Sequence, residues 1–327
     1  MIWTAFIALI IIFLALDLGV FNRKAHVIKT KEAAIWTTVW VSFALAFSGV
    51  IYLLFQNGLV ENPTNLTPPN ATLKYITGYL IELSLSIDNV FVIAIIFSSF
   101  NIPSKYQHRV LFWGILGAVV FRGLMILFGV ALINKFDWII YVFGAFLLYT
   151  AYKMLRSDSE EDFNPKDSKV YRWVRKFFAV THHTEGDKFF IRKMGKRMAT
   201  PLFLALIVIE LTDVLFALDS IPAILAITAD PFLVFSSNIL AILGLRSMYF
   251  LISRMLQKFR YINYSLVAIL TFVGLKMIFS HHIEIPEWAS LAVIAVALLG
   301  GVLASIYIHE PPSETNPSPT DDPHLPS

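Results

Sequence analysis

Two groups of acidic residues lie inside long apolar stretches of this 327-residue chain. Ionisable side chains at membrane depth are costly and seldom face lipid. We therefore predict that these side chains face the protein interior and form a polar site. In chain order, the acids and one adjacent amide are Glu82, Asp88, Asn89, Glu210, Asp213 and Asp219.

Oxygen ligands of this kind favour hard divalent cations. The chain has no cysteine, which excludes disulfides and thiolate metal ligands. The residue types fit Mg²⁺, Ca²⁺ or Mn²⁺ better than copper or zinc, and they leave the choice among those three open. Supporting hydroxyl and amide groups occur in the same or a neighbouring apolar stretch, at Ser84, Ser86, Thr212, Ser220 and Asn238.

Two arginines lie near the middle of other apolar stretches, at positions 122 and 246. Five acids against Arg122 and Arg246 leave three formal negative charges, enough to hold a divalent cation with protons neutralising the rest. Either the arginines form structural ion pairs with Asp88 and Asp219, or they act directly on the bound ion. The acids could also serve only to hold helices together.

The spacing of the acids restricts how they can converge. Residues six apart on an ideal helix differ in direction by roughly 120°, so Glu82 and Asp88 cannot point the same way from an unbroken helix. In the second group we expect a break at Pro222, because proline removes the hydrogen bond to the carbonyl of Leu218. The freed carbonyl beside Asp219 would be a further cation ligand.

The composition indicates an integral membrane protein. Hydrophobic residues make up 57% of the chain and charged residues 15%, with a mean hydropathy of +0.68, which is too apolar for one water-soluble domain. The net charge of +3 comes from basic residues between the apolar runs; that distribution is typical of membrane topology rather than nucleic-acid binding. No catalytic triad pattern, HExxH motif or phosphate-binding glycine loop occurs, so we do not expect an enzyme.

The apolar runs predict an all-α polytopic fold with about nine transmembrane helices. Lys and Arg concentrate in alternate loops, which by the positive-inside rule puts the N-terminus outside and the C-terminus inside. The predicted spans are about 3–21, 35–55, 74–98, 110–133, 138–154, 201–227, 232–253, 262–280 and 288–308.

Three landmarks recur in the same order and predict an inverted pair of three-helix repeats, a common arrangement in secondary transporters. They are an acid pair six residues apart, an arginine near mid-span, and a Lys-Met motif at residues 153–154 and 276–277. The predicted regions are two N-terminal helices in 1–56, a first repeat in 74–157, a basic cytoplasmic loop in 158–200, a second repeat in 201–280, a last helix in 288–308 and a disordered tail in 309–327.

The chain resembles the TerC family of integral membrane proteins, named for tellurium resistance. The resemblance covers roughly residues 1–308. It is strongest at Glu-Leu-Ser-Leu-Ser-Ile-Asp-Asn-Val-Phe (82–91) and at Glu-Leu-Thr-Asp-Val-Leu-Phe-Ala-Leu-Asp-Ser-Ile-Pro-Ala (210–223). It implies manganese export across a bacterial cytoplasmic (inner) membrane, with links to metal homeostasis, alkaline response and metal supply to exported proteins.

Two function classes follow from these observations. The first is a divalent cation transporter, with Mn²⁺ as the transported ion, no organic cofactor, and alternating access through the intramembrane carboxylates. The second is a membrane partner of other proteins, for instance at the secretion machinery, that supplies metal to exported proteins without transport of its own. Transport direction, proton or sodium coupling and oligomeric state do not follow from the sequence.

Overall fold

A computed structural model describes the chain over residues 2–19, 29–62, 65–136, 138–156, 180–181, 186–193, 196–253, 262–280 and 285–307. Within these ranges the chain forms helices and one β-hairpin. The predicted tail at 309–327 and residues 158–179 of the predicted basic loop lie outside them. The elements are α1 (Ile2–Gly19), α2 (Thr30–Gln56), α3 (Pro68–Ser99), α4 (Ser104–Lys135), α5 (Ile139–Arg156), β1 (Phe190–Lys193), β2 (Lys196–Ala199), α6 (Pro201–Leu225), α7 (Pro231–Ile252), α8 (Ile262–Ile278) and α9 (Glu287–Tyr307).

The described helices coincide with the predicted apolar spans. Seven of them, α2 to α7 and α9, are long and apolar enough to cross a membrane. The α1 and α8 helices are apolar but shorter, so their crossing of the bilayer stays a prediction. The all-α polytopic class is confirmed.

The helices pack in pairs around α3 and α7. Extensive contacts join α3 to α7, α4 to α6 and α5 to α8, while α2 packs on α7 and α3, and α9 on α8 and α3. Gly144 of α5 and Gly274 of α8 face each other so closely that a Cβ on either would lie 3.0 Å from the other's carbonyl oxygen. Large apolar side chains such as Phe128 and Val296 remain exposed on the outside, which suits lipid contact.

Proline and aspartate residues define the starts of the helices that carry the site. Proline occupies the first position of α3, α6 and α7, where its missing N–H would have no helical partner. The Asp230 side chain caps α7 by accepting hydrogen bonds from the backbone N–H groups of Phe232 and Leu233, at 3.0 and 2.9 Å.

The expected break at Pro222 is wrong. The α6 helix continues through Pro222 to Leu225, and the Pro222 carbonyl accepts from the Ala226 N–H at 3.0 Å. A proline in the last turn of a 25-residue helix removes a single hydrogen bond, and the packing of α6 against α3 and α4 is sufficient to hold the helical geometry around it. The first acid group likewise lies on a continuous helix, α3.

The end of the predicted basic loop forms a β-hairpin that the sequence did not predict. Strands β1 and β2 pair antiparallel, with Phe190 opposite Ala199 and Lys193 opposite Lys196. Only Thr200 separates β2 from the start of α6. The hairpin therefore lies at the same end of the bundle as the start of α6.

Candidate functional site

The central feature of the bundle is a buried arginine held between two carboxylates. Arg122 of α4 forms ion pairs with Glu82 of α3 and Asp213 of α6. The contact with Asp213 is bidentate, with Nη2–Oδ1 at 2.7 Å and Nε–Oδ2 at 3.1 Å, the geometry in which a guanidinium binds a carboxylate most strongly. The side chains of Arg122 and Glu82 are 1% and 0% exposed, and that of Asp213 is 16% exposed.

Neutral polar groups complete the surroundings of this cluster. Asn238 of α7 donates from Nδ2 to Glu82 Oε2 at 3.1 Å and accepts from Arg122 Nη1 at 3.3 Å. Arg122 Nη1 also lies 3.4 Å from Ser220 Oγ. With its side-chain oxygen turned toward Arg122, Asn89 accepts a hydrogen bond from Nη2 at 3.2 Å. Four helices thus meet at one guanidinium.

The charges of this cluster do not balance. Two carboxylates against one guanidinium leave a formal charge of −1. Burying ionised groups is costly unless they are paired and hydrogen-bonded, and the cluster meets that requirement around Arg122. It also retains capacity for further positive charge at Asp213, its most exposed member.

Glu210 lies apart from the cluster. Its carboxylate packs against the backbone of α4 at Gly117, where any Cβ would overlap the carboxylate atoms. Its Oε2 is buried without a hydrogen-bond partner among the described residues. Glycine at position 117 is therefore what lets this acid reach α4.

The remaining predicted site residues are held by other partners. Asp219 accepts a hydrogen bond from Thr150 of α5, with Oγ1–Oδ1 at 2.9 Å. Thr212 donates to the carbonyl of Val208 within its own helix at 2.7 Å. Asp88 and Arg246 are half-buried and engage in polar or electrostatic interactions.

Two buried hydroxyl groups of α3 lie on nearly opposite sides of the helix, since residues two apart differ in direction by roughly 200°. Ser84 and Ser86 are fully buried, and neither Oγ has a hydrogen-bond partner in the described part of the protein. A buried hydroxyl without a partner costs free energy, so these two groups favour binding of water or an ion beside α3.

A cavity of about 20 Å³ borders the cluster, and roughly 10–15 Å³ is enough to hold one water molecule. Its polar lining comes from Asn89, Thr212 and Asp213, and the rest is apolar side chains of α3, α4, α6 and α7. The α4 helix begins at Ser104, at the hairpin end of the bundle. Leu111, which lines the cavity, lies seven residues into this helix, and Arg122 lies eighteen residues into it. The cavity therefore lies between the charge cluster and the hairpin end of the bundle.

The predicted ligands do not form one group in this conformation. Among the described residues, no three acidic or histidine side chains lie close enough together to hold a metal ion. The acids are separated because both groups lie on continuous helices, where residues six apart point in different directions. Glu82 and Asp213 meet at Arg122, whereas Glu210 and Asp219 face α4 and α5. The metal-ligand assignments stay predictions.

A second charge cluster lies at the opposite end of the bundle and was not predicted as part of a site. Glu287 of α9 contacts Lys74 of α3 at 2.9 Å and Lys276 of α8 at 3.5 Å. Lys74 also donates to the carbonyl of Ile227 at 2.6 Å, and Lys276 to Ser290 Oγ at 2.9 Å. We call these three side chains the end cluster. Its lysines lie near the ends of apolar helices, where long side chains can extend toward water.

Comparisons with known proteins agree with this architecture. The chain is 48% identical over 316 residues to the "Uncharacterized membrane protein STKORF319" of Myxococcus xanthus, covering 96% of this chain and 95% of that protein. It is 44% identical over 295 residues to the "Putative membrane-bound redox modulator Alx" of Escherichia coli strain K12, covering 90% of each. A membrane protein of Rickettsia bellii is 42% identical over 304 residues, covering 93% of this chain and 96% of its own length.

No solved structure matches the chain. The family model described as "Integral membrane protein TerC family" matches residues 67–312, which include all of the described helices except α1 and α2. With the full-length similarity to the relatives, this match identifies the protein as a member of the TerC family of integral membrane proteins.

Proposed function

We propose that this protein transports a divalent cation, Mn²⁺ in the first place, out of the cytoplasm through the site around Arg122. The observation that carries the proposal is the position of Asp213. Its carboxylate belongs to a buried cluster with excess negative charge, and it also lines the adjacent cavity. We name Mn²⁺ rather than Ca²⁺ or Mg²⁺ as the transported ion because manganese export is what the resemblance to the TerC family implies.

In this proposal Arg122 is the resident counter-charge of the site. The guanidinium occupies the oxygens of Glu82 and Asp213 that a cation would need. A dication entering from the cavity would compete with Arg122 for Asp213, with Asn89 and Thr212, which line the same cavity, as further oxygen ligands. Because Arg122 joins α3, α4 and α6, its displacement would loosen the contacts between these helices.

The packing of the helices supports an inverted repeat and hence alternating access. A two-fold axis relating α3–α5 to α6–α8 would exchange the α3/α7 contact with the α6/α4 contact, and both contacts are extensive. It would map the α5/α8 contact onto itself, which is also extensive. The candidate site lies where α3, α4, α6 and α7 meet, at the junction of the two repeats.

The location of the cavity favours loading from the cytoplasm. The cavity lies toward the hairpin end of the bundle, which the positive-inside rule assigns to the cytoplasmic side because of its Lys and Arg residues. A cavity on that side of the charge cluster suits a protein that receives its ion from the cytoplasm. This orientation is part of the proposal.

Manganese uptake into everted membrane vesicles tests the proposal, with a pH gradient imposed or collapsed. We expect Asp213→Asn to lower uptake by at least about tenfold, since one lost charge at a site of few ligands removes a large share of cation affinity. The matched control is Glu61→Gln, which likewise replaces a carboxylate by an amide, at an exposed residue in the loop before α3. Normal uptake by membrane-inserted Asp213→Asn would refute the proposal.

A second candidate function comes from the name of the Escherichia coli relative, a membrane-bound redox modulator. This chain has no cysteine, so it would not act through thiols of its own; a partner protein or a supplied metal would carry the redox effect. Deleting residues 158–179 of the basic loop separates the two candidates. Loss of a redox phenotype with vesicle uptake intact would favour the partner role, and the reverse result would favour transport.

A further inference from the structure

The β-hairpin is fixed firmly to the bundle at its base. Arg109 of α4 forms an ion pair with Asp187 and places its guanidinium 5.3 Å from the centroid of the Phe189 ring. Thr200 Oγ1 donates to the carbonyl of Lys188 at 2.8 Å. The hairpin is therefore held against the ends of α4 and α6, and its position relative to the apolar spans is set.

The strand register brings like charges together. Arg192 lies directly opposite Arg197. Like charges in such cross-strand pairs destabilise a sheet, and an isolated two-stranded hairpin is already only marginally stable. Both arginines are exposed, and neither forms an ion pair within the described ranges of the chain. An anion bound between the two guanidinium groups would relieve this repulsion.

One face of the hairpin combines these arginines with an exposed aromatic ring. Side chains alternate between faces along a strand, so Phe190, Arg192 and Arg197 share a face while the buried Ile191 lies on the other. Phe190 is 43% exposed, and its ring centroid lies 4.4 Å from that of Phe203 on α6. An aromatic residue beside cations is typical of segments at a membrane interface, where the ring enters the headgroup region and the cations meet phosphates.

The distance to the membrane is short. Three residues separate Arg197 from the start of α6, Pro201, so at roughly 3.3 Å per residue Arg197 lies within about 13 Å of an apolar span. The headgroup region adds roughly 5–7 Å on each side of the apolar core, and the field of an anionic leaflet extends about 8–10 Å beyond it at physiological salt. The arginine pair is therefore within reach of lipid headgroups.

We propose that the outer face of the hairpin, formed by Phe190, Arg192 and Arg197, binds the phosphate headgroups of anionic phospholipids in the adjacent leaflet. The lipid phosphates would neutralise the like-charged pair and stabilise the hairpin. Because the hairpin base joins α4 to the start of α6, lipid binding would also brace the end of the bundle next to the cavity. The proposal does not depend on transport.

Amide hydrogen exchange of the intact protein in nanodiscs tests the proposal. We compare discs of phosphatidylcholine alone with discs that also contain phosphatidylglycerol. We expect exchange within residues 190–199 to slow in the anionic discs by about fivefold for each arginine engaged. The variant Arg192→Gln/Arg197→Gln should lose this lipid dependence. The control Lys29→Gln/Lys31→Gln, which removes two exposed charges at the start of α2, should keep it.

Protection by lipid must be distinguished from the effect of a folding defect and from protection by a soluble anion. A variant with both arginines changed to lysine keeps the charges and should retain most of the protection, while unchanged exchange in residues 201–209 would show that the hairpin base stays docked. Equal exchange in both kinds of disc would overturn the proposal. So would equal protection by millimolar inorganic phosphate in phosphatidylcholine discs, because a soluble anion would then be the partner.

Discussion

The central cluster and the end cluster have mirrored compositions. At the centre, one arginine lies between two carboxylates, Glu82 and Asp213. At the end of the bundle, one carboxylate lies between two lysines, Lys74 and Lys276. The first has an excess of negative charge and the second an excess of positive charge. The first borders a cavity that is lined by Asp213, one of its own members.

The comparison shows how burial changes what similar ion pairs do. In the end cluster each of the three side chains is 12–19% exposed, so every member keeps some contact with water. In the central cluster Arg122 and Glu82 are almost completely enclosed, and each unpaired charge there would be costly. We therefore assign ion binding to the centre, and to the end cluster the role of tying α3, α8 and α9 together.

Removing Arg122 should have the largest effect. In Arg122→Met, two buried carboxylates lose their counter-charge, and we expect a loss of about 3–5 kcal/mol in the free energy of unfolding. If a dication competes for the same oxygens, Mn²⁺ should raise the thermal midpoint of this variant more than that of the unchanged protein. Tryptophan fluorescence during heating in detergent, with and without Mn²⁺, measures both effects.

A neutral cluster is the control for this prediction. The triple variant Glu82→Gln/Arg122→Met/Asp213→Asn removes all three charges, so it should recover much of the lost stability and show no response to Mn²⁺. If Arg122→Met melts like the unchanged protein, or if the triple variant is as unstable as the single one, then unpaired charge in the cluster around Arg122 is not costly. The contrast with the end cluster would then be wrong.

Gly117→Ala should have an intermediate effect. The added methyl group would overlap the Glu210 carboxylate, and forced overpacking typically costs about 1–3 kcal/mol. We expect a lower thermal midpoint and weaker Mn²⁺ uptake into vesicles. The matched control is Gly49→Ala in α2, where nothing lies within 4 Å of the added Cβ and stability should be unchanged or slightly higher.

A double variant sharpens the result for Gly117. In Glu210→Ala the carboxylate is gone, so the extra methyl group at position 117 should cost much less than it does in the unchanged background. Equal costs in the two backgrounds would mean that Glu210 does not depend on the glycine.

Glu287→Gln should have the smallest effect. Glutamine at this position can still accept a hydrogen bond from Lys74, so the thermal midpoint should fall by less than in Arg122→Met, and by less at high salt than at low salt. Mn²⁺ uptake should be retained, since the end cluster lies away from the cavity. A loss of uptake as large as that of Asp213→Asn would show that the end cluster takes part in ion movement.

Long apolar runs and their interruptions were sufficient to predict every described helix. The α6 helix shows where such reasoning fails: Pro222 is a strong local signal for a break, yet the helix continues to Leu225 because neighbouring helices support it. The hairpin was not predicted either. Its strands are four residues each and rich in basic side chains. They are held in part by Arg109, which precedes its partner Asp187 by 78 residues.

For the site, the sequence was informative about residue types but not about partners. A carboxylate in an apolar run predicts an interior location from its desolvation cost alone, and Glu82 and Asp213 are indeed enclosed by the bundle. Nothing local distinguishes these two acids, which meet at Arg122, from Asp219, which faces Thr150. Gly117 also gave no signal, because glycine is common in membrane helices.

The sequence by itself determined that this is a helical membrane protein with acids at membrane depth, because hydrophobicity and the cost of buried charge are properties of each segment. It also determined membership of the TerC family. The tertiary structure decided which acids share Arg122, which one rests on Gly117, and where the cavity lies. Those choices depend on the rotation and crossing of helices far apart in the chain, where a shift of one residue turns a side chain by roughly 100°.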